Sequence, residues 1–353
     1  MIPFPSIEQF RHVIAAVAYH AQYVGRDEDN KPIHDTTKPL PVLTFHGSVK
    51  LHGSNTGIVF HAYSPAEIQF QSRSRILSVK DDYEGFANHM TRHLDCLVEL
   101  KQAIAESVGP ESTADQTIAV FGEWCGGNIQ KGVALAQLPK MFVMFGVLVG
   151  ERWLDMTLLR SVEFEAARIF HVHRFGEWAI TIDFNAPKES QPELEQLTAL
   201  IEEECPAGKH FGISGVGEGI VWKCVTPGFT GPRFWFKTKG ERHAMPDPSL
   251  KGAKVPKQAA PVDPELVHSI QAFIDLAVSD ARLEQGLSVL KERGIEITIK
   301  SMGEFIKWVQ QDVAKEETDT MAANGLEFKT LAGPIAAIAR EWYKKALTNQ
   351  GTT

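Results

Sequence analysis

The sequence predicts an α+β chain: largely antiparallel sheets with flanking helices, followed by a small all-α region. Three observations lead there. Short runs rich in Val, Ile, Phe and Trp recur through the first 240 or so residues, bounded by Gly, Pro or Asn. The helical stretches among them are too few to serve as regular crossovers of a parallel sheet. Beyond a proline-rich stretch, the pattern becomes helical.

In chain order, the expected strands are Leu43–Val49, Gly57–His61, Ile118–Phe121, Met141–Leu148, Ile180–Phe184, Gly219–Cys224 and Arg233–Phe236. One helix is expected over Tyr83–Ser107, with Phe86, Met90, Leu94, Leu97 and Leu100 on one stripe. A second is expected over Pro192–Glu204, with Leu194, Leu197 and Ile201 inward. Five prolines (246, 248, 256, 261 and 264) make Met245–Pro264 a linker, because Pro removes the donor that helix and ladder both need. Asp263-Pro264-Glu265 reads as an N-cap with Pro at the first helical position. Ser301-Met302-Gly303-Glu304 reads as a capping box ahead of Phe305, Trp308, Val309 and Val313. Gly333-Pro334 precedes Ile335, Ile338, Ala339, Trp342 and Tyr343 at helical spacing, and Ile295–Ile299 is a short strand-like run. Trp308, Trp342 and Tyr343 are expected to pack between helices.

Composition narrows the classes. The 353 residues exceed one average domain, and 43% hydrophobic with 23% charged residues is an ordinary globular mix. No apolar run of about 18 residues spans a membrane, and the first residues lack the pattern of a signal peptide. Four scattered cysteines without a CxxC pair favour a reducing cytoplasm over a zinc module or disulfide scaffold. Net charge is −8, so a nucleic-acid site must be a local basic patch. Arg233–Lys257 supplies one, with seven Lys/Arg against Glu241 and Asp247. The bland reading of that stretch is a solubilising linker.

The residues with chemical potential lie at strand edges. Lys50 follows one β run, and Gly53 three residues on would let a phosphate approach the backbone. Alone this is weak, because Lys-x-x-Gly recurs at Lys209, Lys237 and Lys291. Glu123 follows the Ile118–Phe121 run, Glu218 opens another, and Lys237 and Lys239 close a third on one side of the strand. Carboxylates suit Mg²⁺ and ribose hydroxyls, and lysines suit phosphate oxygens. A nucleoside triphosphate needs both.

On these residues the chain resembles the covalent nucleotidyltransferase superfamily of ATP-dependent polynucleotide ligases and capping enzymes. Within it, the chain looks like the nick-sealing double-stranded RNA ligases typified by RNA ligase 2 of T-even bacteriophages. Lys50-Leu51-His52-Gly53-Ser54-Asn55 is similar to that branch's nucleophile motif. Phe121-Gly122-Glu123 with Gly127–Val133 is similar to its third motif, and Phe142–Phe145 to the strand bearing an aromatic that stacks on adenine. Glu218-Gly219-Ile220-Val221 and Lys237-Thr238-Lys239 complete the set, over roughly residues 40–240. Arg73 matches the family arginine after the second strand, with Arg75 two residues away. Val49 and Gly146 depart from the family, standing where a polar residue and an acid are usual. The Gly146 departure bears on the floor of the pocket.

The sequence pattern divides the chain into 1–244, a linker over 245–261 and a helical C-terminal domain over 262–353, and the resemblance implies a nucleotidyltransferase (ATP-grasp-like ligase) domain for the first. It implies ATP, Mg²⁺ or Mn²⁺, and RNA with 3′-OH and 5′-phosphate ends, most simply a nicked duplex. A cytoplasmic monomer is expected. Lys50 would be the nucleophile that carries AMP. Glu218 would bind metal. Glu123 would hold ribose hydroxyls or a metal through water. Lys237 and Lys239 would contact the phosphates, and His52 would act near them. Asn55 and Arg73 would line the ribose-phosphate side, Phe145 would stack on adenine, and Ile220 would help bind the nucleotide. The alternatives are a DNA ligase, a GTP-using capping enzyme, an adenylylating enzyme with another acceptor, or a catalytically silent end-binding homologue. The first two usually carry an OB barrel after the Lys-x-Lys strand, where this chain reads helical. His89 and His93, four apart on a helix, form at best a metal pair without a third ligand. His171 and His173 read as surface or structural, and Cys125 as a small packed side chain.

Overall fold

The computed structural model describes residues 1–62, 67–130, 132–240, 270–271, 273–275, 277–323 and 325–350. The linker, the Asp263-Pro264-Glu265 cap, Lys131 and most of the basic patch lie outside the described residues. The chain divides into two compact units, with the division after Ala244. No helix among the described residues is long and apolar enough to cross a membrane.

The fold is α+β with antiparallel-dominated sheets. Its strands are β1 (Glu8–Gln9), β2 (Tyr23–Arg26), β3 (Pro32–His34), β4 (Val42–Lys50), β5 (Ser54–Phe60), β6 (Ile68–Ser72) and β7 (Ile76–Leu77), then β8 (Ile118–Cys125), β9 (Met141–Val149), β10 (Arg152–Trp153), β11 (Ile169–His171), β12 (Glu177–Asp183), β13 (Gly219–Cys224) and β14 (Phe236–Lys239). A five-stranded sheet runs β1-β14-β13-β4-β12. A seven-stranded sheet runs β10-β9-β8-β5-β6-β7, with β11 added beside β9. The β1–β14 and β11–β9 pairs are parallel. Strands β2 and β3 form a separate hairpin.

Alternation explains why these segments are strands. Leu43, Phe45 and Val49 of β4 turn into a core shared with Ile220, Trp222 and Phe236. Gly47 is required there, since a Cβ would come within 2.8 Å of the Trp222 ring. Behind the seven-stranded sheet, Ile58, Val120, Trp124 and Phe142 pack against Phe86, Met90, Leu97 and Leu100. On its other face, Val59, Ala119 and Phe121 are covered by Ile2, Phe4, Phe145 and Trp153.

Several expected elements are revised. The helix over 83–107 is two, Phe86–Thr91 and Leu94–Val108, broken where His93 leaves helical geometry (φ −124°). The Asp82 carboxylate accepts the amides of Ala87 and Asn88 at 2.8 Å and anchors the first of them. The run Arg233–Phe236 is a 3₁₀ turn over Pro232–Phe234, and the strand begins only at Phe236, since Pro232 cannot donate to a ladder. Ile295–Ile299 is not a strand. Its last residue opens a 3₁₀ turn over Ile299–Ser301.

In the second unit, Met302–Glu316 and Phe328–Gln350 are helices. Ser301 precedes the first but does not cap it. Its hydroxyl bonds Glu296 O at 2.6 Å, and the capping box closes on Thr298 instead. Pro334 lies inside the last helix rather than before it. Tyr343 is fully buried against Phe305, and Trp342 donates to Asp280 at 2.9 Å.

His171 is a buried structural group, not a surface one. It is fully buried at the end of β11, and its Nδ1 accepts the His173 amide at 3.2 Å. Burial, with the neighbouring His173, Lys223 and Arg160, pulls its pKa from 6.5 down to about 4. Between those values the unfolded chain takes a proton that the native state refuses. The stabilising contribution is therefore full above pH 6.5 and is lost as pH falls toward 4, by about 3 kcal/mol at most. Replacing His171→Gln should flatten the stability curve in this window, as read by urea denaturation across the range. An acid limb identical to that of the wild type would refute the assignment.

Candidate active site

The site grows from a register. Gly219 of β13 pairs with Lys50 on one side and with Lys239 on the other. Glu218, one residue earlier, is thereby set between two lysines that are 189 positions apart in the chain. Lys50 Nζ lies 2.6 Å from Glu218 Oε2, His52 Nδ1 lies 3.2 Å from the same oxygen, and Lys239 Nζ lies 3.2 Å from Oε1. Glu218 is only 3% exposed. Burial would raise its pKa, but Lys50, Lys239 and His52 outweigh that and hold it well below the usual carboxylate range. Lys237 sits two residues before Lys239, opposite Val221 and Gln9.

The seven-stranded sheet contributes the second carboxylate. Glu123 of β8 pairs in register with Asn55 of β5 and is half-buried. Burial pushes its pKa up to about 7 against the pull of Lys50, and Glu218 repulsion adds to the rise. The Gly53 amide and Arg73 act the other way. Gly53 has a packing reason as well as the expected one. A Cβ there would lie 2.5 Å from Trp124 O and 2.7 Å from the Cys125 Cβ. The motif glycine thus lets the Lys50 loop lie against β8, bringing its amide to Glu123.

Arg73 and Arg75 part company. Arg75 staples its own loop through Asp81 Oδ1 at 2.5 Å and Asp82 O at 3.0 Å, whereas Arg73 feels Glu123 and donates to Ser6 Oγ at 3.4 Å. Phe145 is the extra residue of a bulge: Phe121 pairs with Gly146 and Gly122 with Met144. Its half-buried ring faces Phe4. Ile220 is the exception. It is fully buried in the core beside Gly47 and is not gathered with the other residues.

Sequence reasoning missed Lys223. Its Nζ donates to Phe145 O at 2.5 Å, lies 4.4 Å from the Trp235 ring, and is pulled down to about 8 by burial. A lysine inside an apolar strand was the available signal. His89 Nε2 donates to Ala167 O at 2.7 Å, and burial lowers its pKa. Cys125 is fully buried and its thiol pushed up by burial, as a packed side chain requires.

Glu218 and Glu123 offer the hard oxygens that suit Mg²⁺ or Mn²⁺. Among the described residues no group of three His, Cys, Asp or Glu could hold a metal. The donor set fits an ion completed by phosphate and water, the usual habit of Mg²⁺, rather than a protein cage.

Two sheets that place lysines, a histidine and two carboxylates around one point define a site of the nucleotidyltransferase kind. The chain belongs to the RNA ligase family, whose profile matches residues 43–239. No curated protein matches it. Among solved structures, it is similar to Naegleria gruberi RNA ligase in forms with AMP and Mn, with ATP and Mn, and with PPi. Each is 15% identical with a TM-score of 0.43, covering 69% of this chain and 57% of the other. The chain thus spans less than two thirds of the length of those ligases.

Proposed function

We propose that this chain is an ATP-dependent RNA ligase that works through a lysyl-AMP intermediate and seals 3′-OH and 5′-phosphate ends, with nicked duplex RNA as substrate. The observation that carries it is the convergence of Lys50, His52 and Lys239 on the buried Glu218, with Glu123 close enough to feel Lys50. The catalytic unit in this reading is 1–244, joined through 245–261 to a helical domain over 262–353.

Lys50 Nζ, as the neutral amine, attacks the α-phosphorus of substrate ATP. A P–N bond forms and the bond to pyrophosphate breaks. The 5′-phosphate of RNA then displaces the amine, taking AMP, and a 3′-hydroxyl displaces AMP to close the phosphodiester. Glu218 orients the Lys50 amine, and Lys237 and Lys239 neutralise charge on the phosphoryl oxygens. Glu218 and Glu123 would hold a Mg²⁺ or Mn²⁺, which would supply further neutralisation of phosphate charge. Glu123, whose carboxyl burial pushes up to about 7, would accept from a ribose hydroxyl.

The test is incubation of the whole chain with α-labelled ATP or GTP and Mg²⁺. Label that survives denaturation and alkali but is released by acid, as a P–N bond requires, should appear on the protein with ATP and not with GTP. Labelling by GTP alone would move the reading to a capping enzyme, and no label from either nucleotide would remove it.

A further inference from the structure

The segment Ile2–Gln9 belongs to none of the motifs, yet it touches both sheets. Ile2 is held on the seven-stranded sheet by both backbone groups: its amide donates to Gln71 Oε1 at 3.0 Å, and Gln71 Nε2 donates to its carbonyl at 2.5 Å. Gln71 pairs with Gly57, whose missing Cβ leaves room for the Gln71 chain at 3.2 Å. Ser6 accepts from Arg73. Glu8–Gln9 then joins the five-stranded sheet as β1, with Gln9 directly opposite Lys237. The segment crosses from the sheet of Glu123 to the sheet of Lys50 and Lys239.

Midway across lies Phe4. Its ring centroid is 5.1 Å from that of Phe145, edge to face, and 5.2 and 5.5 Å from those of Phe121 and Trp153. By alternation, Phe121 and Glu123 face the same side of β8, so this aromatic cluster continues the face that carries the second carboxylate. Phe145 is the bulged residue, which alternation alone does not orient. Lys223 holds its carbonyl from one side, and Phe4 holds its ring from the other. Gly146 completes the fit. A Cβ there would come within 3.3 Å of the Phe4 and Trp153 rings. The glycine thus lets the Phe4 and Trp153 rings lie close against this part of β9.

We propose that Ile2–Gln9 is a strap that positions the nucleotide pocket, and that Phe4 is a positioning residue setting the Phe145 ring against the nucleobase. This rests on the reading of Phe145 as the base-stacking side chain of an adenylylating enzyme. Phe4 acts through Phe145 and touches no reacting atom. Its effect should therefore fall on binding of the base and spare the phosphate half of the site.

The experiment compares the full chain carrying Phe4→Leu, which keeps apolar volume without the ring, and Phe4→Tyr, which restores the ring. For Phe4→Leu, the KM for ATP in the adenylylation step should rise about 3- to 10-fold, with kcat changed less than about 2-fold. Discrimination of ATP against GTP should narrow by a similar factor, and inhibition by pyrophosphate, which has no base, should stay as in the wild type. Phe4→Tyr should recover the wild-type KM. Parallel weakening of pyrophosphate inhibition, or unchanged KM and nucleotide discrimination in Phe4→Leu, would overturn the strap. A wild-type chain that takes no label from ATP would instead bring down the functional reading beneath it, so the two failures are distinct.

Discussion

Lys50→Ala protein should take no label from ATP, a loss on the order of 10⁴-fold or more, yet should still seal an RNA nick whose 5′ end already carries AMP. The two halves of this result have separate causes. Covalent capture needs an amine at one point, and no other described lysine takes the place of Nζ: Lys239 reaches Glu218 from the opposite strand at 3.2 Å and serves the other carboxylate oxygen. Sealing of a pre-adenylylated nick needs no covalent nucleotide on the protein. On the proposed mechanism it needs Lys239 and the carboxylates, and these do not depend on Lys50 for their places. Glu218 keeps Lys239 and His52 as partners when Lys50 is cut back. The Lys50 side chain is also 23% exposed, so its removal opens no closed cavity. The variant should fold and melt close to the wild type. Gel analysis of labelled protein measures the first half, and conversion of a synthetic adenylylated nick measures the second. Loss of sealing in a normally folded variant would mean that Lys50 supports the site instead of reacting in it. Retained labelling would place the nucleophile elsewhere.

Much of this site was legible because its residues stand where strands begin and end. Lys50 closes β4, Glu218 precedes β13, and Lys239 closes β14, so strand boundaries alone put them at one edge of a sheet. The pairing that makes them neighbours was not legible, because it depends on β13 lying between β4 and β14. Local signals say nothing of such order. The same limit hid the strap. Met1–Ser6 has no periodicity, and its anchoring runs through Gln71, a residue that reads as one more polar position on a strand. Alternation does not set the facing of Phe145, because a bulge inserts a residue and breaks the period. Ile220 differs from its expected place. The resemblance carried it into the site with its neighbours, while its apolar side chain follows Val49 and Trp222 into the core. In the helical unit, the helix Phe328–Gln350 runs through Pro334 and buries Leu331, Ile335, Ala339 and Tyr343 on both sides of it. Tertiary packing overrode a local preference there.

Glu218→Gln should be the most revealing single change in the site, because it alters charge with almost no change of shape. The wild-type carboxylate is a negative group that Lys50, His52 and Lys239 share. An amide can accept from one of these donors but cannot balance three. The two lysines would then repel each other, and relief comes by turning toward water, which side-chain exposures of 23% and 29% allow. The stability cost should accordingly stay below the 3–5 kcal/mol typical of a stranded buried charge, at about 1–3 kcal/mol. The functional cost should be larger, about 10²- to 10³-fold in adenylylation, since the amine is no longer aimed and a hard oxygen for the metal is lost. Unlike Lys50→Ala, this variant should also be slow on the pre-adenylylated nick, because charge on the phosphates must be balanced in every step. The pH dependence has a defined sign. The Glu218 pKa lies well below 4.5 in the native state, so its contribution is present above pH 4.5 and is lost as pH falls further. The Gln variant lacks that group, so its deficit against the wild type should shrink on acidification below pH 4.5. A deficit that stayed constant down to about pH 3 would show that the carboxylate charge is not what holds Lys50 and Lys239 together. Adenylylation within about 3-fold of the wild type would show that it does not aim the amine either.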